Sequence, residues 1–324
     1  MKSMTVTAYG DADVIHAIER PEVPPGVGEV SITVSHAAVG LIDVLIRRGV
    51  FADHDGIQRP PFVPGLETAG TIRAIGEGVS DFRIGEPVAT LTVLAHGGYA
   101  EVVTVPASLV ISLEGHSIDP VQAVAALPNA TTVHLALSRA IRFPSAARIL
   151  VHGASGALAS VVPAVARQLG ASEIIGTVRS ERLATARPGG FDRLVASESF
   201  AKELADLRFD VIVDAIGGAI REASIPLLAH MGRLLALGSA GSDHGAMLDS
   251  NQLWLANAGV VGFNVGLFFT QEPNAARDAA LAVLPLLADK RLHLDTTTLP
   301  LAQAARAHQM LEDLPANGRV ILSV

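Results

Sequence analysis

The spacing of hydrophobic positions changes character part-way along the chain. Between Glu29 and Gly40, Val30, Ile32 and Val34 alternate with Glu29, Ser31, Thr33 and Ser35. A period of two predicts a half-buried strand. "GTIRAIGEGVSDFRIGEPVATLTV" predicts two more strands joined by Gly-rich, charged turns, and "GGYAEVVTVP" and "SLVISL" follow. "RPPFVPG" (Arg59–Gly65) is not helix, because each proline pushes its predecessor toward extended geometry. The part of the chain before Asp119 therefore predicts a compact β-barrel punctuated by Gly and Pro.

From Asp119 the period lengthens. "DPVQAVAALPNATTVHLALSRAI" has helical spacing behind an Asp-Pro start. Apolar runs then recur at Arg148–Val151, Ile174–Val178, Leu194–Ala196, Val211–Ile216, Leu234–Gly238 and Val260–Val265. Helical patterns such as Val161–Leu169 and Ile220–His230 fill most of the gaps, the one after Gly238 being less regular. Strands alternating with such connections predict an α/β fold with a six-stranded parallel sheet wound on both sides. A helix over Ala275–Ala288, "HLDTTTLPL", a helix over Ala302–Leu314 and the strand "RVILSV" close the chain. These last strands resemble the first half. The expected division is residues 1–121 with 268–324 as one domain and 122–267 as the other.

Composition narrows the function. A chain of 324 residues has room for about two domains. With 49% hydrophobic and 17% charged residues it can bury a sizeable core. A net charge of −8 argues against nucleic acid as a partner, but leaves room for a local basic pocket. There is no cysteine, hence no disulfide and no thiolate zinc site. "MKSMTVTAYGDADV" turns polar at once, and no apolar run reaches the ~18 residues of a membrane span. A soluble cytoplasmic protein with no membrane partner is expected.

The candidate chemistry begins at "ILVHGASGALAS" (Ile149–Ser160), where the first of the six strands passes through glycines into a helix start. In a dinucleotide turn the first glycine makes the tight bend, the second lets backbone approach the pyrophosphate and the third lets helix pack on strand. In that register the chain reads Ala154-Ser155-Gly156-Ala157-Leu158-Ala159, with Gly153 ahead of it. Only the middle glycine is kept. A Gly-Ala-Ser turn also occurs between many strands and helices; the position at the end of the first strand is where the motif must lie. About 20 residues on, where the ribose is read, stand Thr177, Val178, Arg179, Ser180 and Arg182. A guanidinium and a hydroxyl suit a 2′-phosphate, hence NADP(H). Arg179 and Arg182 also suit a solvated helix start, and Glu181 stands between Ser180 and Arg182. A serine-hydrolase elbow is the rival reading, but Gly153-Ala154-Ser155-Gly156-Ala157 lacks its last glycine.

"GLIDVLIRRGVF", "PFVPGLETAGTIRAIGEGVSDFRIGEPVA", "GGYAEVVTVP", "AALPNATTVHLAL", "ILVHGASGALAS", "IIGTVRSER", "FDVIVDAIGG", "GRLLALGS" and "NGRVILSV" occur in this order over nearly the whole chain. In this the chain resembles the medium-chain dehydrogenase/reductases, and among them the zinc-free quinone oxidoreductase (zeta-crystallin-like) group. The resemblance implies a GroES-like barrel carrying the substrate side, a Rossmann domain binding NADP(H), a cleft between them, and a homodimer or tetramer. The zinc branch needs cysteines that this chain lacks. Its Gly-His-Glu is here Gly65-Leu66-Glu67, so no zinc is expected. Hydride addition to a small apolar electrophile, a quinone or conjugated enone, then needs no metal Lewis acid. Enoyl-thioester reductases of the wider family carry a tyrosine where this chain has Phe51. The family's lysine and tyrosine near the 2′-phosphate are here Leu183 and Ala196.

The resemblance also assigns residues. Thr132 stands where the family has a threonine beside the nicotinamide; the rival is a hydroxyl bonded to its own helix. His134 is a candidate proton donor. Asp43 is a candidate for orienting the catalytic cleft, with capping of the helix at Val44 as its rival. Gly153, Ser155, Gly156, Ala157 and Leu158 are expected at the pyrophosphate, and Thr177, Arg179, Ser180 and Arg182 at the ribose. Gly238, Ser239, Phe263 and Arg319 complete the cofactor set, Arg319 having an ordinary surface charge as its rival. Phe51, Phe263 and Phe268 are candidates for an apolar substrate wall, and Glu67 for a buried, paired carboxylate. The expected function is NADPH-dependent reduction of a quinone or enone. An enoyl or 2-alkenal reductase, and a non-catalytic NADP(H)-binding protein, are the alternatives.

Overall fold

The computed structural model describes residues 1–54, 56–92, 97–183, 189–241, 245–313 and 318–324. The chain forms two compact units, Met1–Thr131 with Gly266–Val324, and Thr132–Val265.

The first unit opens with β1 (Lys2–Val6), β2 (Ile15–Glu19), β3 (Glu29–Val39), β4 (Thr68–Ile75), β5 (Pro87–Thr90), β6 (Val102–Pro106) and β7 (Val110–Ser112). β3 is its spine, pairing antiparallel with β4 and β6. Its inward residues change parity along its length. Val30, Ile32 and Val34 pack with Ile72, Phe82 and Val88, whereas Ala37 and Val39 pack with Val6, Phe62 and Tyr99 in a second cluster. The register with β4 shifts between Val34 and His36, which makes Ser35 an extra residue. One extra residue in a ladder of period two exchanges the faces.

The second unit is built on β8 (Arg148–Val151), β9 (Glu173–Val178), β10 (Arg193–Ala196), β11 (Phe209–Asp214), β12 (Leu228–Ala236) and β13 (Gly259–Gly262). All pairings are parallel, in the order β10-β9-β8-β11-β12-β13. From β8 the chain first adds strands on one side, then returns to add β11 on the other. That reversal is the Rossmann switch point, where ligands lie outside the carboxyl ends of the strands. The middles of the central strands, residues 149–151 and 211–213, are apolar and buried, as a sheet covered on both faces requires.

At three boundaries the difference from the sequence reading has a local cause. β11 ends at Asp214 rather than Ile216, because the Asp214 carboxylate accepts hydrogen bonds from the Ile216 and Gly217 amides and turns the chain out of the sheet. β12 starts at Leu228, where Leu228 pairs with Phe209, so the helix expected to reach His230 ends at Ser224. β13 stops at Gly262, and a helix takes over at Val265.

After helices over Val265–Gln271 and Pro273–Ala288, β14 (Thr296–Pro300) and β15 (Arg319–Ser323) join the sheet of the first unit, β15 running antiparallel to β3. Among the described residues no helix is long and apolar enough to cross a membrane.

Candidate functional site

The turn after β8 resolves the half-present glycine pattern. The tight bend is made one residue early, by Gly153, whose φ of +68° is left-handed. Ala154 then takes the place of the first glycine and is fully buried against Val178. It fits because β9 has Gly176 opposite; a Cβ there would lie 2.7 Å from that of Ala154. The Gly156 amide donates to the Gly153 carbonyl at 2.7 Å, and Gly156 itself is exposed. The Ser155 hydroxyl is buried with no partner among the described residues. An unsatisfied buried donor at a strand-to-helix turn fits a phosphate oxygen. Ala157 and Leu158 are half-buried beyond it.

Beneath the turn lies a polar pillar that sequence reasoning missed. His152 is buried, with Nδ1 3.1 Å from the Thr177 hydroxyl, Nε2 2.8 Å from that of Ser224 and its ring edge-on to Phe200. The Thr177 hydroxyl also accepts from the Gly153 amide at 3.3 Å. Thr177 is 1% exposed, so it differs from the expected ribose contact: it holds the turn from below. The signal for Asp214 was legible, a strand-end acid before Gly-Gly. Its carboxylate also pairs with Arg221 at 2.6 Å, and Arg221 donates to the Gly238 carbonyl at 2.7 Å. Gly238 and Ser239 lie exposed beyond β12, and the Phe263 amide, just past β13, donates to Ala236. At the end of β9, Arg179 is exposed and pairs with Glu181 at 3.4 Å, and Ser180 and Arg182 form a short turn.

The candidates in the first unit belong to a second buried network. Asp43 accepts from the Gly40 amide at 2.9 Å and the Gly65 amide at 3.0 Å, so it caps its own helix and pins the "PGLE" loop. Burial pushes its carboxyl up to about 7. Arg319 is 6% exposed and ion-paired with Glu67. This ion pair ties Arg319 into the first unit, while its Nε is buried without a partner among the described residues. Asn317, beside it in "NGR", lies outside the described residues. Glu67 also accepts from the Thr92 hydroxyl at 3.2 Å. The Tyr99 hydroxyl lies 3.2 Å from Nε2 of His308, and Arg47, fully buried, pairs with Glu312 at 2.5 Å. Phe51 packs against this core and edge-on to His54, the blander of its two readings. Phe268 is half-buried in the helix Val265–Gln271. Thr132 is 7% exposed, and the Nδ1 of His134 is buried without a partner among the described residues, desolvation lowering its pKa. Asp43 lies in one compact unit, Thr132 and His134 in the other.

The buried groups make stability pH-dependent. Desolvation holds His152 near 4 and His308 near 3, against an ordinary 6.5. Between about pH 4 and 6.5 the unfolded chain therefore binds one proton more at each histidine, which favours unfolding as pH falls. Asp43 acts oppositely, since the folded protein keeps its proton between pH 3.8 and about 7. The three leave one net proton on the unfolded side, so stability should rise with pH by about 1.4 kcal/mol per unit in that window. In urea titrations at several pH values, His308→Gln should flatten this slope and Asp43→Asn should steepen it. An unchanged slope in both variants would refute the assignment.

A family model described as "Alcohol dehydrogenase GroES-like domain" matches residues 26–115, and one described as "Zinc-binding dehydrogenase" matches residues 169–322. The structure of a mycobacterial quinone oxidoreductase superposes with a TM-score of 0.87 at 27% identity, covering 100% of both chains. The chain belongs to the medium-chain dehydrogenase/reductase superfamily. A second mycobacterial structure of this fold, complexed with NADPH, gives a TM-score of 0.86 at 27% identity, again covering 100% of both chains. Among characterised proteins, the mycocerosic acid synthase-like polyketide synthase of Mycobacterium tuberculosis is 28% identical over 328 residues. That match takes in 99% of this chain, and the chain spans 15% of the synthase. The superfamily's nicotinamide cofactor agrees with a strand-to-helix turn carrying, at the switch point, a hydroxyl without a partner among the described residues.

Proposed function

We propose that this chain is a zinc-independent, NADPH-dependent reductase that delivers hydride to a quinone or a conjugated enone. The observation that carries the reading is the turn after β8, left-handed at Gly153, with the Ser155 hydroxyl buried and without a partner among the described residues at the switch point of the sheet. Gly156, Ala157 and Leu158 supply the helix-start backbone for the pyrophosphate. Arg179, Ser180 and Arg182 supply charge and hydroxyl for a 2′-phosphate. Gly238, Ser239 and Phe263, at the carboxyl ends of β12 and β13, extend the same edge of the sheet. Bound there, the nicotinamide supplies the hydride. Thr132 orients the reacting groups, and His134 or water returns the proton. Positioning and exclusion of water carry the rate.

Zinc independence rests on the donor set. The chain has no cysteine, Leu66 stands in the histidine place and Glu67 is engaged by Arg319. A cytoplasmic homodimer is part of the proposal. The polyketide synthase relative favours a second reading, reduction of an enoyl thioester, against which Phe51 counts.

The test is NADPH oxidation followed at the nicotinamide absorbance band with quinones, enones and an enoyl thioester. Quinone- or enone-dependent turnover is expected; no NADPH binding at millimolar concentration would overturn the reading. Ser155→Ala should weaken NADPH about three- to tenfold, the loss of one hydrogen bond to a charged group, and keep turnover. A serine hydrolase would lose all turnover in that variant.

A further inference from the structure

We infer that Glu198 narrows the preference of this chain for NADPH over NADH, by holding with its own negative charge donors that a 2′-phosphate would use. The inference rests on the proposed binding of a nicotinamide dinucleotide at the turn after β8. β9 and β10 pair in parallel, with Val178 opposite Ala196. Two residues beyond each strand end stand Ser180 and Glu198. The Ser197 amide donates to the Val178 carbonyl at 2.8 Å, which fixes the two strand ends side by side. The Ser180 amide donates to Oε2 of Glu198 at 3.0 Å. Glu198's own amide, then the Ser180 amide and the hydroxyls of Ser197 and Ser180, hold its carboxyl below the usual range, so it is an anion at neutral pH.

This alters what the basic residues of "VRSER" can do. Arg179 already faces Glu181. The Ser180 amide and hydroxyl, which the sequence offers to a phosphate, already serve a carboxylate from the neighbouring strand. A 2′-phosphate must displace Glu198 or lie against it, and like charges a few ångströms apart at a surface repel. A 2′-hydroxyl meets no such repulsion and can donate to the same carboxylate. The positive charge at the end of β9 is thus opposed by an acid that lies 18 residues further along the sequence from Ser180.

Calorimetric titration of wild type, Glu198→Gln and Glu198→Asp with NADPH and with NADH tests this without any turnover. Glutamine keeps an acceptor for the Ser180 amide and removes the charge. It should tighten NADPH about tenfold at low salt and change NADH less than about twofold, with the gain shrinking as salt rises. Glu198→Asp, which keeps the charge, should keep the wild-type ratio of the two affinities. Equal shifts for both cofactors in Glu198→Gln would mark Glu198 as a loop staple and overturn the inference alone. So would an unchanged ratio with binding intact. Failure of wild type and both variants to bind either cofactor would overturn the proposed function, and this inference with it.

Discussion

Arg319→Met should destabilise the protein by about 3–5 kcal/mol, the cost of leaving a buried charge without its partner. The side chains of Arg319 and Glu67 are 6% and 13% exposed, so solvent screens their ion pair little. Without the guanidinium, Glu67 would face the buried Asp43, whose carboxyl is already pushed up to about 7. The consequence is proton uptake on folding near neutrality, and stability that falls as pH rises toward 7. Urea denaturation at pH 6 and pH 8 measures both effects. Adding Glu67→Gln should restore much of the loss, because it removes the orphaned charge and keeps a polar group for Thr92. A single variant as stable as wild type would show that the pair does not hold β15 to the "PGLE" loop.

Gly153→Val is expected to abolish measurable dinucleotide binding and to cost about 2 kcal/mol of stability. A residue with a Cβ at a φ of +68° pays about 1–2 kcal/mol in left-handed strain. Its Cβ would also stand 3.0 Å from the tip of Ile216. Relief requires the turn to open, and the carbonyl that accepts from the Gly156 amide belongs to Gly153. The amides and the Ser155 hydroxyl would then lose their common direction. Gly170→Val is the control. Gly170 has a φ of +96° and nothing within 4 Å of an added Cβ, so it should show the strain without the loss of binding. Calorimetry with NADPH and urea denaturation on both variants separate the two effects. Undiminished NADPH binding by Gly153→Val would remove the turn from the proposed site.

Much of this was legible in the sequence, for local reasons. The helical stretch from Asp119, the strand Arg148–Val151 and the six apolar runs follow from periodicity and from apolar strands buried on both faces. The site was legible in part, since a turn between strand and helix is a local event. The pattern was only half present because the left-handed bend falls on Gly153, one residue ahead of the usual register. Whether Ala154 could then be accommodated depended on Gly176, in another strand.

What the sequence by itself determined is the succession of six apolar runs that form the parallel sheet, where that sheet begins, and that cysteine chemistry is absent. What only the tertiary structure decided is which polar side chains find one another. Thr177 and Arg319 read as cofactor contacts along the chain, and in the fold each meets a distant partner, His152 in one case and Glu67 in the other. The parity switch at Ser35 and the carboxylate of Glu198 on the Ser180 amide are of the same kind. Periodicity reports how a residue relates to its neighbours in the chain. A hydrogen bond or ion pair across strands depends on register, which is set only once the sheets have formed.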